Sequence, residues 1–199
     1  MPPPPLVQST RAQRVVLAVV MAGLLLAALA LVKTVTGAPI TNPLGPTLTP
    51  TTAGNFALGY PNGWVQHRDF PGAWIDPLNP FRQLYIVRFD SPFDSLEIAR
   101  DEYIRAVPGL QPTNPTPIRL GTNATADGQV LYGITAAKAE PPTPELLHFI
   151  AIVQHPDDPN LYLGLRIIDA YQPDQNRFAT NAKLLNDILA GIRFVPPGS

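Results

Sequence analysis

The residues of this sequence best suited to proton transfer or metal binding near neutral pH are three histidines, His67, His148 and His155. None lies at the spacing of a helical zinc motif. His155 opens the run His155-Pro156-Asp157-Asp158, which sets an imidazole and two carboxylates in one loop. With a fourth oxygen from elsewhere that set would suit a divalent cation; as a solvated hairpin tip it would hold none. His148 sits inside the apolar run ELLHFIAIVQ. There a partly buried, hydrogen-bonded ring is expected rather than a catalytic base. The chain has no cysteine, which removes disulfides, thiol nucleophiles, thiolate metal sites and lipidation of a cysteine. Nucleophile-elbow, phosphate-loop and dinucleotide motifs are absent. Ser91 and Ser95, the serines between Asn55 and Gly198, stand in no such motif. Catalytic, cofactor-binding and metal-binding residues are accordingly assigned as none, and the chain is expected not to be an enzyme. A metal-assisted hydrolase using His155 and Asp157 is the enzymatic alternative.

Binding chemistry has a stronger candidate. Trp64, Phe70, Trp74 and Phe81 crowd a segment rich in proline and glycine. Either one or two of these rings complete the core, or they form an exposed aromatic patch for a partner. Glu97, Asp101 and Arg105, at helical spacing of four and beside Arg100, form an ordinary solvated face. Asn123-Ala124-Thr125 matches a glycosylation acceptor, relevant only in a eukaryotic secretory setting.

Charge and hydropathy say where these residues work. Val15–Val32 is 18 residues without a charge or strongly polar side chain. As a helix it spans about 27 Å, close to the hydrocarbon thickness of a bilayer. It is also longer than the apolar core of most cleaved signal peptides, and Val35-Thr36-Gly37 is a poor cleavage site, so cleavage is the lesser alternative. Arg11 and Arg14 precede the segment and Lys33 follows it, so the N-terminus is expected in the cytoplasm. Residues 34–199 carry 11 basic residues and all 15 acidic ones, a net of −4. That balance argues against nucleic acid as a partner. The expected organisation is a cytoplasmic tail (1–14), a transmembrane helix (15–33), a linker (34–54) and a periplasmic or extracellular domain (55–199) in a single-pass membrane protein. The linker is uncharged and rich in threonine and proline, with no hydrophobic period. Fully extended it would reach roughly 60 Å.

Residues from Asn55 onward read as strands and two helices. Phe56, Leu58 and Tyr60 alternate as a half-buried strand does, and Pro61-Asn62-Gly63 is a turn. Strands are expected from Trp64-Val65, over Arg82–Phe89, Pro117–Gly121, Gln129–Lys138, Glu145–Gln154 and Leu161–Ala170, and over Ile192–Val195. Asp94-Ser95-Leu96-Glu97 predicts a capped helix over about Ser95–Val107. Asp174 predicts a cap for a second helix ending at Ala190, with Phe178, Ala182, Leu185, Ile188 and Leu189 on one face. Hairpin-length links imply an antiparallel sheet, so the fold class is α+β, an antiparallel sheet flanked by helices.

The strand and turn Phe56–Trp64 (FALGYPNGW), the capped helix, and the closing Leu184–Phe194 (LLNDILAGIRF) resemble the PsbP-like domains, the PsbP/Mog1-type fold. The resemblance covers about residues 54–196 and implies an α/β/α sandwich. It also implies a non-enzymatic accessory or assembly role, docking on or stabilising a membrane protein complex, photosynthetic or respiratory by family analogy. No family binding residue matches a position here. A ligand-binding domain outside the cytoplasm is the alternative function.

Overall fold

The computed structural model describes residues 47–92, 95–121, 124–138, 143–171 and 175–196. The expected tail, transmembrane helix and linker as far as residue 46 lie outside the described residues, as do Asp94, Asn123 and Asp174. No helix among the described residues is long and apolar enough to cross a membrane.

In chain order the elements are β1 (Leu48–Ala53), β2 (Phe56–Pro61), β3 (Val65–Gln66), β4 (Ala73–Asp76), β5 (Asn79–Asp90), α1 (Leu96–Arg105), β6 (Leu110–Pro112), β7 (Thr116–Gly121), β8 (Thr125–Thr135), β9 (Leu146–His155), β10 (Asp158–Ala170), α2 (Gln175–Ala190) and β11 (Arg193–Phe194). The main sheet runs β3-β4-β5-β10-β9-β8-β6, with β7 also paired to β8; a small sheet runs β1-β2-β11. Every pairing is antiparallel.

The β9–β10 hairpin is the centre. Leu147 to Val153 are buried without interruption, as are Leu161 to Leu165. A continuous apolar run of this kind is a strand covered on both faces. Strand alternation sends Ile150 and Ile152 to one face and Leu147, Phe149, Ala151, Val153 and His155 to the other. On the first face α1 closes a cluster of Ala99, Leu131, Ile150, Ile152 and Tyr162, edged by Phe89, Leu96, Tyr103, Ile104 and Leu110. On the second, Phe178 of α2 packs on Phe149 and Tyr132, and Phe56 and Phe194 of the small sheet pack on His155. One helix over each face of an antiparallel sheet is the architecture that the hydrophobic periodicity implies.

Four details differ from the sequence expectation. Leu48–Ala53, assigned above to the linker, is a strand. Pro50 sits within it, which is tolerated because β1 is an edge strand. β4 and β6 were not expected; each is short and hemmed by proline or glycine, so turn signals dominate locally. The cap of α1 is Ser95, whose backbone is extended and whose Oγ accepts from the Ile98 N–H at 3.4 Å. The Glu97 carboxylate accepts a hydrogen bond from the Ser95 hydroxyl at 3.1 Å, so the acid expected at the third helical position works one residue earlier in the helix.

The seating of α1 depends on one glycine. The Tyr103 ring lies flat against Gly164 on β10; a methyl there would meet Cδ2 and Cζ at 2.8 Å. Gly164→Ala should therefore cost about 1–3 kcal/mol by overpacking. Equilibrium unfolding of the full-length protein in mild detergent checks this. The same substitution in a Tyr103→Ala background should cost far less, and equal costs in both backgrounds would contradict the contact.

Candidate functional site

The four aromatic candidates do not share one surface. Trp74 is buried, 6% exposed, and stacks on Tyr60 with centroids 4.9 Å apart, tying the main sheet to the small one. Trp64 is half-buried beneath the Arg82 guanidinium, 5.4 Å from its ring centroid. Phe70 and Phe81 are exposed, at 58% and 46%; Phe70 leans on His67 at 4.9 Å. Two further apolar residues of this region went unsuspected: Val65 on the edge strand β3 and Leu78, 93% exposed, at the tip of the β4–β5 turn. An apolar residue inside the turn Asp76-Pro77-Leu78-Asn79 was the available signal.

His155 is not a solvated tip. It is 1% exposed and wedged edge-on against Phe56 and Phe194, with centroids 5.3 and 5.6 Å away. Its Nδ1 accepts the Asp157 N–H at 3.2 Å, which leaves Nε2–H to donate to the Val195 carbonyl at 3.2 Å. Both ring nitrogens are spent on backbone. The run His155-Pro156-Asp157-Asp158 therefore presents no imidazole to a cation, and the hydrolase reading loses its base. Among the described residues no three His, Asp or Glu side chains are grouped to hold a metal.

Two polar clusters lie on opposite faces of β10. The first borders an open cavity of about 310 Å³ between the β4–β5 turn and α2. Asp169, 3% exposed, accepts from Asn79 at 3.0 Å and from Asn181 at 2.9 Å, with Arg177 at 3.5 Å. Asn181 in turn accepts from Arg82 at 2.8 Å, and Arg82 pairs with Asp76 at 3.5 Å. Two arginines and two aspartates thus neutralise each other. An Asp inside the apolar RIIDA of β10 and an Asn on the apolar side of α2 were the sequence signs of it.

The second cluster is on the α1 face. His148, 2% exposed, has Nε2 3.1 Å from the Thr135 hydroxyl, while Nδ1 is buried with no partner. Burial, and secondarily the positive charge of Arg166, push its pKa down to about 4, so the ring is neutral at pH 7. Arg166 itself lies over the Tyr85 ring at 4.6 Å, and its Nε is buried without a partner. Burial pushes the Tyr103 phenol up to about 12 against the opposing pull of Arg166.

No family model matches this sequence, and no curated protein matches it. Among solved structures, a protein of Bacteroides thetaiotaomicron superposes with a TM-score of 0.50 at 12% identity, over 78% of this chain and 50% of that one. This chain therefore spans half the length of that protein, and at such identity the likeness is one of fold alone. The Ran-binding protein Mog1p of Saccharomyces cerevisiae superposes with a TM-score of 0.48 at 8% identity, over 75% of this chain and 97% of that one. A point mutant of Mog1 gives 0.49 at 9%, over 77% and 98%.

The buried His148 makes stability depend on pH. An unfolded histidine titrates near 6.5. The folded pKa of about 4 means that the unfolded chain binds the proton first, so the contribution is complete above about pH 6.5 and is lost as pH falls towards 4. In full it amounts to about 3 kcal/mol. His148→Gln, which keeps a hydrogen-bonding group on Thr135, should flatten the unfolding free energy across that window relative to the wild type. Parallel pH profiles for the two proteins would show that His148 is not the group responsible.

Proposed function

We propose that this chain is a non-enzymatic accessory subunit, held to the membrane by residues 15–33 with its N-terminus in the cytoplasm, whose outer domain docks on a neighbouring membrane protein complex. One observation carries this reading. Of the six exposed large hydrophobic residues among those described, five fall between residues 65 and 87: Val65, Phe70, Leu78, Phe81 and Val87. The domain thus gathers its water-exposed apolar surface on the strands and turns of one sheet edge, where core packing gains nothing from it. Aromatic residues with apolar neighbours are the usual anchors of a protein interface. The tether left between the anchor and β1, residues 34–47, reaches roughly 40 Å when extended, which keeps any partner in the same membrane within range. The PsbP-like character of Phe56–Trp64 and Leu184–Phe194 supports an extrinsic-subunit role, on a photosynthetic or respiratory complex by analogy.

A second reading, a ligand-binding domain outside the cytoplasm, is favoured by the cavity of about 310 Å³ beside Asp169 and Asn181, just large enough for a small solute. Its charges are internally paired, which makes it the weaker candidate.

The docking reading predicts position-specific crosslinking. With a photoreactive phenylalanine analogue at Phe70 or Phe81 in the full-length protein, irradiation of native membranes should join it to one integral membrane protein. The same group at Lys183, on exposed α2, should not. Crosslinks to lipid alone, or equal yield from Lys183, would sink the reading.

A further inference from the structure

Arg166 stands at the middle of the main sheet with no counter-charge among the described residues. The strand register places Tyr85 of β5 opposite it on one side and Ile150 of β9 on the other. His148 is two residues from Ile150, on the same face and the neighbouring strand, so it lies diagonal to Arg166. Tyr103 descends from α1 onto Gly164, two residues from Arg166 on that face. Four polar side chains from four elements therefore converge on one spot.

Their hydrogen-bonding capacity is left open in a consistent way. The Arg166 Nε is buried without a partner, and no carboxylate among the described residues lies within ion-pair distance of its guanidinium. The Nδ1 of His148, in a side chain 2% exposed, is likewise buried without a partner. Tyr85 has spent its hydroxyl on the Gln83 amide oxygen at 2.6 Å, so it offers Arg166 its ring face only. A half-buried cation is costly unless an anion answers it. On the opposite face of the same strand, the arginines around Asp169 are all so answered. At Arg166 no acceptor among the described residues answers the buried Nε–H.

The chemistry of the absent group follows from the donors. A guanidinium stacked on an aromatic ring has its plane fixed and presents paired N–H groups edge-on, which matches a planar carboxylate better than a tetrahedral anion. Beyond Tyr85, Val87 is 40% exposed on the same face and offers an apolar wall. We infer that Arg166, Tyr85, Tyr103 and His148 form a binding site for a small organic carboxylate with a flat apolar body. Arg166 holds the carboxylate, Tyr85 fixes the guanidinium plane, and Tyr103 and His148 close the polar side. This site is separate from the apolar sheet edge and does not depend on its docking role.

Benzoate and inorganic phosphate, each titrated into the full-length protein in mild detergent, test the inference by thermal unfolding and by the imidazole proton resonances. Benzoate should raise Tm saturably with half-effect at millimolar concentration or below, and should shift the His148 resonance while leaving His67 in place. Arg166→Met, which keeps the stem on Tyr85, should raise the half-saturating concentration by about tenfold or more. Arg119→Gln, at an exposed pair on another strand, should not. Absence of a saturable Tm rise, a response unaltered in Arg166→Met, or phosphate acting as strongly as benzoate would each overturn the assignment. If Arg166→Met does not fold, the resonances of the wild type decide: a benzoate shift at His67 equal to that at His148 overturns it.

Discussion

A hairpin buried on both faces must be covered on both faces, and β9 with β10 imposes that condition on everything else. Neither strand can satisfy it with one helix, because alternate residues point opposite ways. One face is closed by α1, which precedes the hairpin in the chain. The other is closed by pieces from the two ends of the domain: β1 and β2 before the sheet, α2 and β11 after it. These ends are joined by the β2–β11 pairing, by Asn55 donating to the Val195 and Pro196 carbonyls, and by the Val195 N–H donating to the Asn55 carbonyl at 2.8 Å. His155 is where that closure meets the hairpin. Its ring fills the gap between Phe56 and Phe194 and its Nε2 ties down Val195. A residue suggestive of metal chemistry is thus a clamp, which uses the apolar faces and the two polar edges of imidazole together.

The same condition sorts the polar residues of β10. Arg166 and Asp169 are three positions apart and so face opposite layers. The α2 layer brings Asn79, Asn181 and Arg177 to Asp169, and that cluster is complete. The α1 layer brings Tyr103 to within the influence of Arg166 but no acid. Of the three acids of α1, Asp101 pairs with Arg100, Glu97 accepts from Gln129 and Ser95, and Glu102 makes no ion pair with Arg166. Arg100 itself reaches Gln129 at 2.7 Å.

Hydrophobic periodicity made the large elements legible. The apolar runs of β9 and β10, the stripe of α2 and the strand-turn of Phe56–Gly63 all lie where the pattern implies, because burial of many side chains at once enforces a register. Short edge strands escaped notice for the opposite reason. β1, β4 and β6 bury few residues, and their prolines and glycines read as loop; only pairing with a longer neighbour makes them strands. The sites were less legible still. Trp74 lies on β4 whereas Phe70 lies in the β3–β4 connection, a difference that the Pro71-Gly72 turn between them hides from any count of spacing. The Arg166 cluster joins residues from β5, α1, β9 and β10, and a single Arg within an apolar strand carries no motif. His155 was misleading because a short polar loop follows it, although the ring itself belongs to the strand.

Two departures of this domain from the ordinary rules of folding involve β5. At one end of that strand Leu78 and Phe81 stand in water; in its middle Tyr85 carries Arg166, which no described carboxylate answers, with Val87 exposed beside it. Stability explains neither. Apolar side chains on an edge gain nothing from folding, and a half-buried guanidinium without an anion works against it. Departures of this kind are retained where a surface has work to do. The register also places Val65, Tyr85 and Val87 on the face that α1 covers, at the side of the sheet away from β8. α1 packs over β8 and β9, and no second helix among the described residues lies on that face to extend its cover. The short length of α1, 10 residues from Leu96 to Arg105, is therefore what leaves β3, β4 and the part of β5 before Phe89 open on that face.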